Sequence, residues 1–123
     1  MNEQQKTTET QSAQNISASE LNALLSANTI NEHGFKPLIK RLELADGESL
    51  SVQTGHTHYC MPRDNYGPWV LVEVGYPSVD PGEEWKEYFD GDWDETDHTD
   101  SVYGYVPINL VVKFINDHGG ISR

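Results

Sequence analysis

Nothing apolar recurs over the first fifteen residues, MNEQQKTTETQSAQN, so this stretch has no face that a core could cover. It is expected to be a disordered tail, residues 1–15. The pattern changes at Ile16. Ser17 and Glu20 are spaced as a capping box, and Ile16 and Leu21 flank them as a hydrophobic staple. Leu21, Leu24 and Leu25 then recur at helical spacing, which predicts a short helix ending near Asn28; Gly34 and Pro37 mark the connection after it. The period next drops to two. Leu42 and Leu44 alternate with Arg41 and Glu43, and Leu50 and Val52 alternate with Ser49, Ser51 and Gln53. Asp46-Gly47 between them is a hairpin turn signal. Gly55 interrupts or bulges the second strand, and Pro62, Asp64-Asn65 and Gly67-Pro68 form a loop.

The run Trp69–Val74, WVLVEV, is the most apolar strand and is expected in the middle of the sheet. After a break at Pro77 to Gly82, Glu83–Phe89 reads as a short helix, with Glu83 and Glu84 at the positive end of its dipole. Residues 90–101 are too polar to be buried. Val102–Val106 reads as another strand, and Pro107 suits the start of a helix. Ile108, Val111, Val112 and Ile115 form that helix's core stripe, flanked by Leu110 and Phe114, with Gly119 and Gly120 as a left-handed cap. Gly104, between two tyrosines, is expected to allow close packing beneath a neighbouring ring. This order predicts one α+β domain over residues 16–123: an antiparallel or mixed sheet of about four strands with helices on one face.

At 123 residues the chain is the size of one domain. Charge changes the picture more. Twenty Asp and Glu face eight Lys and Arg, for a net charge of −12. Such a chain is repelled by phosphate backbones and anionic lipid, which excludes direct nucleic-acid and membrane-surface binding. No apolar run reaches the roughly 18 residues of a membrane span, and the opening residues are not expected to act as a secretory signal. Cys60 is the single cysteine, so no internal disulfide can form and the cytoplasm is the expected compartment.

The acids are not spread evenly. Ten of the twenty lie in residues 80–100, with Lys86 as the one base, so this segment carries −9 and the other 102 residues sum to −3. Trp85, Tyr88, Phe89 and Trp93 lie among them, the first three at i, i+3 and i+4, a shared helix face. Two readings compete. In one, the rings dock the helix on the sheet and the acids merely face water. In the other, Glu83, Glu84, Trp85, Glu87, Tyr88, Asp90, Asp92, Trp93, Asp94, Glu95 and Asp97 form a surface that draws in and anchors a basic partner.

Metal chemistry is the alternative. If residues 56–60 are extended, His56, His58 and Cys60 share one strand face, and His98 or a nearby Asp would complete a zinc site. Residues two apart on a strand are about 6.6 Å apart along it, too far for a Cys–His nucleophile pair. Asp90-Gly91-Asp92-Trp93-Asp94 opens like a calcium loop, but Glu95 stands where glycine belongs and Ser101 where glutamate belongs. There is no glycine-rich phosphate loop and no Gly-x-Ser-x-Gly elbow, so no cofactor and no enzymatic activity are expected.

The segments VYGYVPINLVVKFINDHGG and TGHTHYCMPR resemble small uncharacterised acidic proteins of phages and prophages. The resemblance implies a mobile-element origin and, by analogy of size and charge, a protein that blocks host restriction or CRISPR effectors. The leading expectation is therefore a non-enzymatic inhibitor of DNA-mimic type, whose carboxylates stand in for phosphates against a basic nucleic-acid-binding host protein. A metal-binding domain is the alternative, and a sensory or immunity-type domain with acids for solubility is the third reading.

Overall fold

The computed structural model describes residues 15–27 and 36–122. The expected tail, Asn15 excepted, and the expected helix end at Asn28 lie outside the described residues, as does Gly34. Helix α1 spans Ala18–Leu25. Its capping box forms in both directions: Ser17 Oγ accepts from the Glu20 amide and Glu20 Oε1 accepts from the Ser17 amide, each at 3.1 Å. Ile16, Leu21 and Leu25 are buried, whereas Leu24 faces outward.

Strands β1 (Leu42–Glu43), β2 (Ser49–Gln53), β3 (Leu71–Gly75) and β4 (Val102–Pro107) form one sheet in the order β1-β2-β3-β4. Every neighbouring pair is antiparallel, so of the two expected sheet types the antiparallel one is found. The Asp46-Gly47 turn is present: Gly47 takes φ +94°, and the Leu44 amide donates to the Glu48 carbonyl at 2.8 Å. Strand β3 is interior, as its apolarity predicts, but it starts at Leu71 rather than Trp69. The backbone of Trp69 is held instead by Asn22 of α1, whose Oδ1 accepts from the Trp69 amide at 2.6 Å and whose Nδ2 donates to its carbonyl at 3.0 Å. Val70 pairs with Met61 across a loop.

Leu42, Leu50, Val52, Val72, Val74, Tyr103 and Val106 are buried along one sheet face. Helix α2 (Ile108–Asp117) starts directly after β4 and adds Ile108, Val111, Phe114 and Ile115 to that core. Phe114 rather than Val112 completes its buried stripe. Asn116 ties the helices together, its side chain bonding both the amide and the carbonyl of Ile16 at 2.9 Å. A bulge separates Val72 from Val74 in the β3–β4 register, and there Tyr105 takes φ +55° and its amide donates to the Tyr59 carbonyl. A Cβ on Gly104 would lie 3.2 Å from the Tyr59 Cβ, so the glycine does allow the expected close packing.

Candidate functional site

The acidic segment leaves the sheet after β3 and returns to it at β4. Glu83–Tyr88 forms a 3-10 helix. Gly82, at φ +101°, opens it, and Phe89, extended, ends it. With three residues per turn Trp85 and Tyr88 still share a face, Phe89 lies just past the helix end, and all three rings pack against the core. This corrects the expected role of Trp85. It is 2% exposed, edge-on to Tyr103 at 5.4 Å and to Phe114 at 5.7 Å, and belongs to the core. It is not a surface anchor. For this ring the docking reading holds.

Phe89 bridges to Tyr103, and the two rings meet edge-to-face at 5.1 Å. The Asp90 amide donates to the Val102 carbonyl and Ser101 Oγ donates to the Asp90 carbonyl, which closes the base of the 90–101 loop on β4. Inside the loop, carboxylates cap local turns. Asp92 Oδ1 accepts from the Asp94 amide at 3.1 Å, and Asp97 Oδ1 accepts from the Thr99 hydroxyl at 2.7 Å and amide at 2.9 Å. The Thr99 hydroxyl, then its amide, hold the Asp97 carboxyl below the usual carboxylate range.

His98 ties the loop together. Its Nδ1 lies 2.7 Å from Asp80 Oδ2, its Nε2 lies 2.7 Å from the Trp93 carbonyl, and its ring stacks on Trp93 at 3.5 Å and 15°. The Trp93 carbonyl first, and then Asp80, raise its pKa above the ordinary imidazole value. The buried Tyr103 hydroxyl donates to the His98 carbonyl at 2.6 Å. Tyr88 and Trp93 remain half-buried, so each still presents part of a ring to water.

All ten acids, Asp80, Glu83, Glu84, Glu87, Asp90, Asp92, Asp94, Glu95, Asp97 and Asp100, are exposed. Glu84 meets Lys113 of α2 at 3.5 Å. Among the described residues, the side chains of Glu83, Glu87, Asp90, Asp94, Glu95 and Asp100 make no hydrogen bond or ion pair. Exposed carboxylates in water lack the dry pocket that general acid–base catalysis needs.

The described residues do not bring His56, His58 and Cys60 together as the metal alternative requires. Two residues beyond β2, Gly55 takes φ +140°, and residues 56–60 turn rather than extend, with the His58 amide bonded to the Gly55 carbonyl. His56 turns to Asn65, and His58 Nδ1 pairs with Glu73 Oε2 at 2.8 Å. The Cys60 thiol is buried against the Gly55 carbonyl at 3.3 Å, and burial pushes its pKa up, away from the thiolate that zinc needs. Among the described residues no three His, Cys, Asp or Glu side chains converge as a metal requires, at Asp90–Asp94 as at His56, His58 and Cys60.

Sequence reasoning missed the Asp80–His98–Trp93 cluster. The available signal was a lone histidine inside a run of acids. It also missed an exposed aromatic pair, Tyr59 from the segment between β2 and β3 and Tyr105 of β4 at 5.7 Å, with the Arg63 guanidinium over the Tyr59 ring. No family model, no curated protein and no solved structure matches the chain.

Proposed function

We propose that this protein is a non-enzymatic binding protein that presents residues 80–100 to a basic protein surface, of the kind that ordinarily holds nucleic acid. The observation that carries the reading is the exposure of all ten carboxylates on a folded segment, six of them with no bonding role in the fold among the described residues. Burying none of them costs nothing in desolvation, and like charges so close raise the energy of the free protein. A cationic partner relieves that repulsion. Carboxylates then stand in for phosphates, and Trp93 and Tyr88 supply the ring contacts that slow dissociation. Inhibition would be steric and electrostatic occlusion of a nucleic-acid-binding host protein, as for a phage-type DNA mimic. No described helix is long and apolar enough to cross a membrane. The single buried thiol suits a reducing compartment, and we assign the protein to the cytoplasm.

Affinity capture with mass spectrometry tests this. The expected captured protein is basic, is released by duplex DNA competitor, and is lost above about 0.5 M salt, where the Debye length falls to a few ångströms. Capture of an acidic or neutral protein that neither salt nor DNA displaces overturns the reading.

A further inference from the structure

We propose that His98 is a pH-operated latch: with both ring nitrogens protonated it holds the 90–101 loop shut on Asp80 and Trp93, and on losing one proton it lets the loop tip open. The proposal concerns the free protein and goes beyond the partner reading. Its basis is the chemistry of the two groups that His98 faces. Nδ1 points at a carboxylate oxygen and Nε2 at a backbone carbonyl oxygen, both at 2.7 Å. Neither oxygen can donate. A neutral imidazole carries one N–H and one lone pair, so it can satisfy one contact and must set its lone pair against the other acceptor. Only the imidazolium donates to both, at distances typical of charge-assisted bonds. Its charge also lies flat against the Trp93 ring at 3.5 Å, where an indole face attracts a cation.

No other side-chain hydrogen bond ties the loop tip to Asp80 among the described residues. Backbone bonds within its tip are local turns, Glu95 to Asp92 and Asp100 to Asp97. Two other links join the tip to the sheet: the Tyr103 hydroxyl on the His98 carbonyl, which itself depends on where His98 sits, and the Trp93 ring edge-to-face on Phe89 at 5.2 Å, an apolar contact that fixes no hydrogen bond. The charged and titrating groups around the ring are Asp80, from the segment before the 3-10 helix, Asp97 within the loop, and Tyr103 on β4; Phe89 packs its edge at 5.6 Å and does not titrate. Burial raises the Tyr103 hydroxyl, so it remains a donor throughout the relevant range, and both carboxylates favour the imidazolium. The closed loop therefore binds the proton more tightly than the open one. By linkage the latch is fully set below the ordinary imidazole value of about 6.5 and is lost as pH rises through the raised value. Opening unstacks Trp93 and frees its ring.

NMR of the full chain from pH 5 to 9 tests the latch without any partner. The expected result is a His98 ring with both nitrogens protonated at low pH and a titration midpoint above 6.5. Order parameters of amides 91–99 should fall from about 0.85 to below about 0.6 as it titrates. Asp80→Asn, which keeps the oxygen that caps Gly82, should move the midpoint down. His98→Phe, which keeps a stacking ring but donates to neither oxygen, should leave 91–99 mobile at every pH, with the core resonances unchanged. The proposal is overturned if residues 91–99 stay rigid above the midpoint or in His98→Phe, or if His98 titrates at or below 6.5. Failure of partner capture leaves these outcomes untouched, and a rigid loop leaves partner capture untouched.

Discussion

Two long loops leave the sheet, the first between β2 and β3 over residues 54–70 and the second between β3 and β4, and each is fastened by a histidine–carboxylate pair. In the first, His58 meets Glu73; in the second, His98 meets Asp80. Beyond that they differ. The first loop is held by apolar burial and backbone: Trp69 and Cys60 are buried, Met61 bridges to Leu71, and Asn22 grips the Trp69 backbone. It carries one base, Arg63, and one acid, Asp64. The second roots itself through Trp85 and Phe89, and its tip is tied by His98. Its net charge is −9. Packing explains Trp69 and Cys60 of the first loop, whose Tyr59, Met61, Tyr66 and Val70 side chains face water. It explains the aromatics of the second and leaves the acids unexplained, which is why the second loop is the candidate for function.

The largest test of this division is Trp85→Ala against Trp93→Ala. Trp85 is a core ring between β4 and α2, and truncating a buried tryptophan costs about 3–5 kcal/mol through lost transfer energy and the cavity left behind. That lowers the melting temperature by roughly 12 °C or more in a domain of this size. Trp93 is half-buried on the loop, and its loss should cost about 1 kcal/mol. Chemical denaturation measures both. Equal costs would make the loop tip part of the core rather than a displayed surface.

The same contrast shows where the sequence was readable. The capping box at Ser17 and Glu20, the Asp46-Gly47 turn, the central strand around Val72 and the helix after Pro107 are local signals, each set by a few neighbouring residues, and each is found. The α+β class follows from their order. What failed depended on loop paths. Gly55, with a positive φ, interrupts the strand as expected, and the segment that the metal alternative needed extended turns instead and separates His56, His58 and Cys60. Of the two readings of the rings, docking on the sheet holds for the buried Trp85, while the helix is 3-10 and ends before Phe89. The Asp80–His98 pair spans eighteen residues, and no spacing rule brings those two side chains together. The charge of the segment was visible from composition alone; its uniform exposure required the fold.

A smaller effect sharpens the first half of the comparison. Asn22→Ala removes both side-chain bonds to the Trp69 backbone and leaves a part-buried amide and carbonyl without them. The expected cost is about 1–3 kcal/mol. Asn22→Asp keeps the acceptor for the Trp69 amide and loses the donor, so it should fall between wild type and alanine. Hydrogen exchange should show the loss centred on residues 61–71, with the 90–101 loop unchanged. A loss shared equally by both loops would mean that they open as one unit.

The smallest effect on the fold should accompany the largest on binding. Asp92, Asp94 and Asp97 lie on the second loop, and replacing all three with Asn removes three charges while keeping one acceptor oxygen on each side chain. The oxygens of residues 92 and 97 that cap the residue 94 and Thr99 amides are retained in the amide side chain. Stability should therefore stay within about 0.5 kcal/mol of wild type, the usual range for surface changes that leave the packing intact. Like-charge repulsion falls at the same time, which favours the folded chain. Binding should respond differently. Long-range attraction acts on encounter, over a Debye length near 8 Å at physiological salt, so the triple variant should associate with the captured partner roughly tenfold more slowly and with a flatter salt dependence. Its dissociation rate should change less, because ring contacts set residence time. Trp93→Ala should show the converse, a faster off-rate with the salt slope intact. Surface plasmon resonance at two salt concentrations separates these. If the triple variant keeps both its on-rate and its salt slope, the acids of the second loop serve only as a solvated surface, and the two loops differ in charge but not in role.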